Sequence, residues 1–302
     1  MISQQTGRIG LTQEPPRDRA QGTVQWSFQP GEPIVPGYVA WTCLGRGERC
    51  ETWLSWSLVR TAPAVVKLLG PSEVTKSRSI SALTREAGLL AKLSHPFLPR
   101  LYEDGTSTDH PHVVLEYVEG PTLGNVLDSE GPFSPTDATT IGLQILMALD
   151  YLHRSGLAHL DVKPDNVIFR DGRIVLIDLG LVRPIGSPAP SGPVWGTEAY
   201  MAPEQASRKP ATAAADIYGL GATLAELVTN RRPPLPGSEL RWRPASGAGK
   251  RLATVIEALL HTDPDRRPRC ARSAMVALRT IRPTIEPPWP AFVDLTSPPP
   301  SA

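Results

Sequence analysis

Residues 159–180 read HLDVKPDNVIFRDGRIVLIDLG, and the rest of the chain is best understood outward from them. They open on a dense polar cluster, His159-Leu160-Asp161-Val162-Lys163-Pro164-Asp165-Asn166. Two β-rich runs follow, joined by Asp171-Gly172; an Asp-Gly pair between such runs is the strongest short-range hairpin signal. Asp178-Leu179-Gly180 stands at the far end, twelve residues beyond Asn166. A hairpin returns the chain to its origin, so Asp161, Asn166 and Asp178 are expected to converge at one mouth. Three oxygen donors there suit Mg²⁺ beside a proton acceptor, the combination phosphoryl transfer needs. One aspartate beside a turn is more often a cap than a catalyst. The spacing of all three carries the reading.

On the N-terminal side, from Tyr38 to about Tyr117, the apolar runs are short and strand-like: YVAWTCL, ETWLSWSLV, AVVKLLG and HVVLEYV. One helical stretch, SISALTREAGLLAKLS, interrupts them, with Ile80, Leu83, Ala87, Leu90 and Leu93 at three- and four-residue steps, and His95-Pro96 ends it. From Ser134 onward helices dominate. Ser134-Pro135-Thr136-Asp137 supplies a hydroxyl cap, a proline at the first position and an acid in the first turn, after which Ile141, Ile145, Leu149 and Leu152 share a face. A second helix, AAADIYGLGATLAELV, is apolar nearly throughout and is expected to be buried. A small sheet-rich lobe thus precedes a larger helical one, an order that points to a cleft.

The 302 residues are 40% hydrophobic and 20% charged, enough for one large domain or two modest ones. A formal net charge of +1 gives no global pull toward nucleic acid or an anionic membrane, so neither is expected as a partner. No run approaches ~18–20 uncharged apolar residues, and the start lacks an apolar core of signal-peptide length. Cys43, Cys50 and Cys270 are too few and scattered for a disulfide framework, which suits a reducing, cytoplasmic setting. Residues 1–37 are polar and proline-punctuated and read as a flexible N-terminal segment; 283–302 read as a Pro-rich disordered tail; 38–282 form the globular body.

At this point the body resembles a known family, the eukaryotic-type serine/threonine protein kinases and especially their bacterial branch. His-Leu-Asp-Val-Lys-Pro-Asp-Asn is similar to the catalytic loop, and Asp178-Leu179-Gly180 to the Asp-Phe-Gly metal motif. Gly196-Thr197-Glu198-Ala199-Tyr200-Met201-Ala202-Pro203-Glu204 resembles the end of the activation segment, with Gln205-Ala206 giving it a bacterial flavour. The likeness covers essentially all of 38–282 in order. It implies an α+β, protein-kinase-like two-lobed fold: a small antiparallel-sheet N-lobe plus a larger, mostly helical C-lobe.

The resemblance also assigns roles. Asp161 would orient the substrate hydroxyl and accept its proton, Lys163 would sit beside the transferred phosphate, and Asn166 with Asp178 would hold Mg²⁺, Mn²⁺ being an alternative. Lys67 would contact the ATP phosphates while paired with Glu86. Leu44, Gly45 and Gly47 belong to the phosphate-covering loop, Thr52 and Val65 to the adenine pocket, and Glu116 and Val118 to a hinge whose main chain would bind adenine. Glu204 is expected to pair with Arg267, and Asp216 to steady the catalytic loop. Lys163 with Thr197 favours Ser/Thr hydroxyls on protein substrates.

Five positions depart from the family pattern. Cys50 replaces the third glycine of the loop, and Glu48 and Glu51 beside it add charge that phosphate would not welcome. Thr52 stands in place of valine and Val65 in place of alanine; overpacking by two methyl groups can cost ~1–3 kcal/mol, a ten- to hundredfold weaker nucleotide affinity. Leu160 replaces the arginine that normally receives an activation-segment phosphate, so phosphorylation there is not expected to be the main switch. Leu179 for phenylalanine is mild. Lys67, Glu86, Asp161, Asn166 and Asp178 all stand, which favours an enzyme over a non-catalytic scaffold of the same fold. A small-molecule phosphotransferase fits less well, because 196–204 resembles a peptide-docking segment. The tail prolines Pro287, Pro288, Pro290 and Pro298–Pro300 offer motifs for a partner with an aromatic-lined groove, against a default of plain spacer.

Overall fold

The computed structural model of the chain describes residues 24–170, 172–189 and 196–281. The described residues divide into two compact units, one from 24–88 plus 101–117, the other from 89–100 plus those between 118 and 281.

The first unit is a six-stranded antiparallel sheet with one helix. Its strands are β1 (Pro33–Val35), β2 (Tyr38–Arg46), β3 (Cys50–Ser57), β4 (Ala62–Leu69), β5 (Leu101–Gly105) and β6 (His112–Glu116), in the order β1-β2-β3-β4-β6-β5. The four runs read from sequence form β2, β3, β4 and β6. β1 and β5 carry too little alternation to be read that way. Residues opposite one another across an antiparallel pair share a face. Glu51 opposes Leu68 and Trp53 opposes Val66, whereas Thr52 opposes Lys67 and Leu54 opposes Val65. The first face joins Trp53, Ala64, Val66, Leu68 and Val114 with Ile34, Val35, Tyr38 and Ala40. The opposite side carries α1 (Ser77–Leu90), whose Leu83 and Ala87 pack with Leu69 and Val113.

Residues 24–37 depart from the expectation of a flexible lead-in. They fold onto the sheet as β1 and a strap, with Trp26 and Phe28 packed on the first face. The reason is aromatic: Trp26 stacks on Phe28 at 5.7 Å and Phe28 meets Trp53 edge-on at 5.3 Å, which offsets the ordering of a polar segment. Residues 1–23 and the Pro-rich tail lie outside the described residues.

The second unit is mostly helical: α2 (Leu123–Glu130), α3 (Pro135–Arg154), α4 (Pro203–Ala206), α5 (Ala213–Thr229), α6 (Gly247–Leu259) and α7 (Ala271–Arg279). Ser134 caps α3 as its sequence foretells, its hydroxyl accepting the Asp137 N–H at 3.1 Å, and Ile141, Ile145, Leu149 and Leu152 are fully buried. α5 is buried along almost its whole length. At Gly221 a Cβ would lie 2.8 Å from Leu259 Cβ, so only glycine lets α5 approach α6 this closely. Two short ribbons complete the unit: β7 (Leu157–Ala158) paired with β10 (Arg183–Pro184), and the hairpin of β8 (Val167–Arg170) with β9 (Arg173–Leu176). Gln144 of α3 holds the hairpin end, donating to the Gly172 carbonyl at 2.8 Å and accepting the Ile174 N–H at 2.9 Å.

Candidate active site

The hairpin brings the polar cluster and Asp178 together. Val167 pairs with Leu176, and Ile177 N–H donates to the Asn166 carbonyl at 2.8 Å, so Asp178 follows directly on the residue that touches Asn166. Leu160 and Asp178 both sit in the left-handed backbone region, at φ 66° and 61°. Non-glycine residues are held there only where surroundings dictate it, and such strain gathers at functional sites. Leu160 is held by two bonds: its N–H donates to Asp216 Oδ1 at 2.6 Å, and its carbonyl accepts Gln205 Nε2 at 2.9 Å.

Asp216, on α5 and 1% exposed, organises the loop from below. Its Oδ2 accepts the His159 N–H at 2.8 Å, and His153 Nε2 lies 2.8 Å from the same oxygen. That His153 contact escapes the sequence reading; its only signal is a histidine in the last turn of α3. The carbonyl of Val162 accepts the Thr223 hydroxyl at 3.3 Å, tying the loop to α5 a second time.

On this frame the polar side chains of the loop are joined. Asn166 Nδ2 donates to Asp161 Oδ2 at 2.8 Å and to the Asp161 carbonyl at 2.9 Å. Lys163 Nζ lies 3.0 Å from Asp161 Oδ2 and donates to Thr197 Oγ1 at 2.7 Å. Both side-chain contacts of Asp161 fall on Oδ2, and Oδ1 has no protein partner among the described residues. The carboxylate is therefore held through one of its two oxygens. Asp161 N–H donates to His159 Nδ1 at 3.3 Å, which makes that nitrogen an acceptor. Burial keeps the His159 imidazole below its usual pKa, against the opposing pull of the Asp216, Asp161 and Asp178 carboxylates.

No group of three His, Cys, Asp or Glu side chains suited to a metal occurs among the described residues. Asn166 and Asp178 fit Mg²⁺ nonetheless, because that ion keeps several waters and takes one or two protein oxygens plus substrate phosphate oxygens in place of an all-protein cage. The Asn166 amide nitrogen is engaged by Asp161, so its oxygen is the atom that would face an ion.

Within the sheet unit, Lys67 Nζ donates to Glu86 Oε1 at 2.8 Å, the two side chains being 14% and 7% exposed. Thr52 and Val65 lie on the Lys67 side of the sheet, both half-buried. Gly45 and Gly47 bracket the turn from β2 to β3, closed by Gly47 N–H to the Cys50 carbonyl at 2.8 Å, and Leu44 sits at a break in the β2–β3 register. Cys50 packs toward the Leu69, Leu83, Ala87 and Val113 cluster, the setting of a small half-buried strand residue. Glu51 corrects an expectation: it is 3% exposed, it lies on the face opposite Thr52 and Lys67, and it is engaged by Arg46, Trp26 and Trp53. Glu116 opposes Ala64 at the end of β6, and Val118 follows where the chain leaves the sheet unit.

Two contacts brace the activation-segment end. Arg267 grips Glu204 with both terminal nitrogens, at 2.6 and 2.8 Å, each residue at most 5% exposed. The Tyr200 hydroxyl donates to Glu226 of α5, and burial with the nearby carboxylate pushes that hydroxyl well above its ordinary pKa.

Comparison with known proteins agrees with this geometry. The sequence profile of the protein kinase domain matches residues 38–276, and the chain belongs to that family. It is 33% identical over 215 residues to a probable serine/threonine-protein kinase of Corynebacterium efficiens, covering 68% of this chain and 32% of the relative. Against the serine/threonine-protein kinase PrkC of Bacillus subtilis it is 32% identical over 206 residues, 67% of this chain and 32% of that one. With the serine/threonine-protein kinase PkaA of Streptomyces coelicolor it shares 34% identity over 262 residues, 78% and 48% of the two chains. The chain thus spans a third to a half of the length of these relatives. Kinases of this family use ATP with a divalent metal ion. Among the described residues no helix is long and apolar enough to cross a membrane.

Proposed function

We propose that this chain is a serine/threonine protein kinase that transfers the γ-phosphoryl group of ATP to Ser or Thr hydroxyls of protein substrates, with Mg²⁺ as its metal. One observation carries the reading: Asp161, Lys163, Asn166 and Thr197 form a continuous hydrogen-bonded set. The substrate hydroxyl oxygen bonds to the γ-phosphorus as the bond from phosphorus to the β,γ-bridging oxygen breaks, ADP leaves, and the hydroxyl proton passes to Asp161. Lys163, tethered to both Asp161 and Thr197, holds positive charge beside the phosphoryl group in flight. Lys67, kept in place by Glu86, acts on the α and β phosphates. Mg²⁺, when bound, neutralises charge on the phosphates; Asn166 and Asp178 are the residues that hold it.

The rival reading is a scaffold with weak or no phosphotransfer, favoured by the extra bulk of Val65 on the side of the sheet that carries Lys67. Incubation of purified protein with labelled ATP and Mg²⁺, beside Asp161→Asn, separates them. The expected result is incorporation lowered by about 10²–10⁴-fold in the variant, the usual worth of a positioned acid–base group. Equal incorporation in the two, or none in either from folded protein, supports the scaffold. A reducing, cytoplasmic setting is proposed from the small number and scatter of the cysteines. The prolines of the tail are proposed as a docking motif for a groove-bearing partner.

A further inference from the structure

The strap that precedes the sheet converges on the turn carrying Gly45 and Gly47. Trp26 makes three polar contacts with three different elements. Its backbone N–H donates to Glu51 Oε1 at 2.8 Å, its indole N–H donates to the Leu69 carbonyl at 2.8 Å, and its carbonyl accepts Arg46 Nη2 at 3.5 Å. Its ring stacks on Phe28 and meets His110 edge-on at 5.1 Å. Glu51 in turn accepts the Trp53 indole N–H at 3.2 Å and lies 3.6 Å from Arg46 Nε. Arg46 is the residue between the two glycines, and its guanidinium rests 5.9 Å from the Trp53 ring centroid. The far side of the turn is tied in as well, since the Arg49 carbonyl accepts the Gly70 N–H, next to the Leu69 that holds the indole.

We propose that the Trp26 side chain positions the phosphate-covering turn: anchored at the Leu69 carbonyl and on Phe28, it holds the main-chain N–H and carbonyl of residue 26 where Glu51 and Arg46 meet them, from the face of the sheet opposite Lys67. A buried carboxylate needs its donors, because a charge out of water is costly when any partner is removed. Glu51 therefore stays where Trp26, Trp53 and Arg46 can all reach it, and Arg46 stays with it. A turn of two glycines has little stiffness of its own; the clamp supplies it from outside. Without the clamp, Gly47 would need to find its phosphate-facing conformation anew at each binding event, and nucleotide affinity would fall by the population of that conformation. The proposal rests on the kinase reading for the identity of the ligand but not for the stiffness of the turn.

Two measurements on the full chain keep these apart. Amide hydrogen exchange over residues 45–50 is compared in wild type, Trp26→Phe and Trp26→Ala, without nucleotide. Faster exchange in both variants, larger in Trp26→Ala, is expected; Trp26→Phe keeps the ring stack and loses only the indole donor, so it folds even if alanine does not. Steady-state kinetics then give KM for ATP, kcat and KM for a peptide substrate. A rise of about three- to tenfold in KM for ATP, the factor that one lost hydrogen bond carries, is expected with kcat and the peptide KM unchanged. Unchanged exchange at 45–50 overturns the proposal, as does a fall in kcat with KM for ATP unmoved. Faster exchange in a protein that transfers no phosphate overturns the kinase reading and leaves the clamp standing.

Discussion

Leu160 packs beside Ala202, Ala215 and Tyr218, together with Leu260, and its apolar side chain offers no charge for a phosphate to pair with. Among the described residues Ser187 Oγ is shut off from solvent and has no partner, so removing it disturbs nothing. The expected outcome is that Ser187→Ala and Ser191→Ala keep kcat/KM within about twofold of wild type, the range of an ordinary harmless substitution. Loss of activity in either would show that a phosphate there is needed; Thr197 is a separate matter, since it holds Lys163. His159 yields a pH prediction. Burial holds its folded pKa below the ordinary 6.5, so as pH falls under that value the unfolded chain takes up the proton first and the folded state loses stability. Protonation would also set a second donor against the Asp161 N–H. Urea denaturation at pH 7.5 and 5.5 should show wild type losing more stability than His159→Asn, by up to about 1.4 kcal/mol per pH unit. Equal losses would place His159 outside the titration.

The elements around the loop are held by buried charge. Arg267 donates not only to Glu204 but to the carbonyls of His261 and Ala214, at 2.7 and 2.8 Å, and its guanidinium lies 5.0 Å from the Tyr218 ring. One side chain thus joins α4, the start of α5 and the turn after α6. Truncating it leaves Glu204 charged and dry, and Arg267→Ala should lower unfolding free energy by about 3–5 kcal/mol in chemical denaturation. A loss under about 1 kcal/mol would mean that the pair is solvated in solution. The pairing was legible in sequence only through family resemblance, because 63 residues separate the partners and no local pattern links them. Helix α3 is the opposite case: cap, first-turn proline, acid and apolar stripe all lie within one segment and agree.

For the molecule as a whole, the kinase reading predicts a nucleotide response that depends on metal. A ligand bound only by the folded chain adds about 2.7 kcal/mol at 100 times its Kd, equivalent to about 5–10 °C in a chain of this size. Thermal unfolding with ATP and Mg²⁺ should show such a rise, reduced by EDTA and by Asp178→Asn. An equal rise with and without metal would count against Asn166 and Asp178 as its holders. Glu51 shows how whole-fold context overrides local reading: beside two glycines it looks like a charge in the path of phosphate, yet strand alternation turns it to the other face, where Trp26, Trp53 and Arg46 meet it.

Sequence alone determined the hairpin, the capped α3 and the buried α5, because each depends on residues a few positions apart and on periods that local geometry imposes, and the hairpin in turn returns the chain from Asn166 to Ile177, next to Asp178. Tertiary structure decided the rest: the Asp216 bonds that hold Leu160 in a left-handed turn, the Lys67–Glu86 and Glu204–Arg267 pairs, and the strap at residues 24–37. Those contacts join residues 19 to 63 positions apart, and burial, not local propensity, gives them their strength.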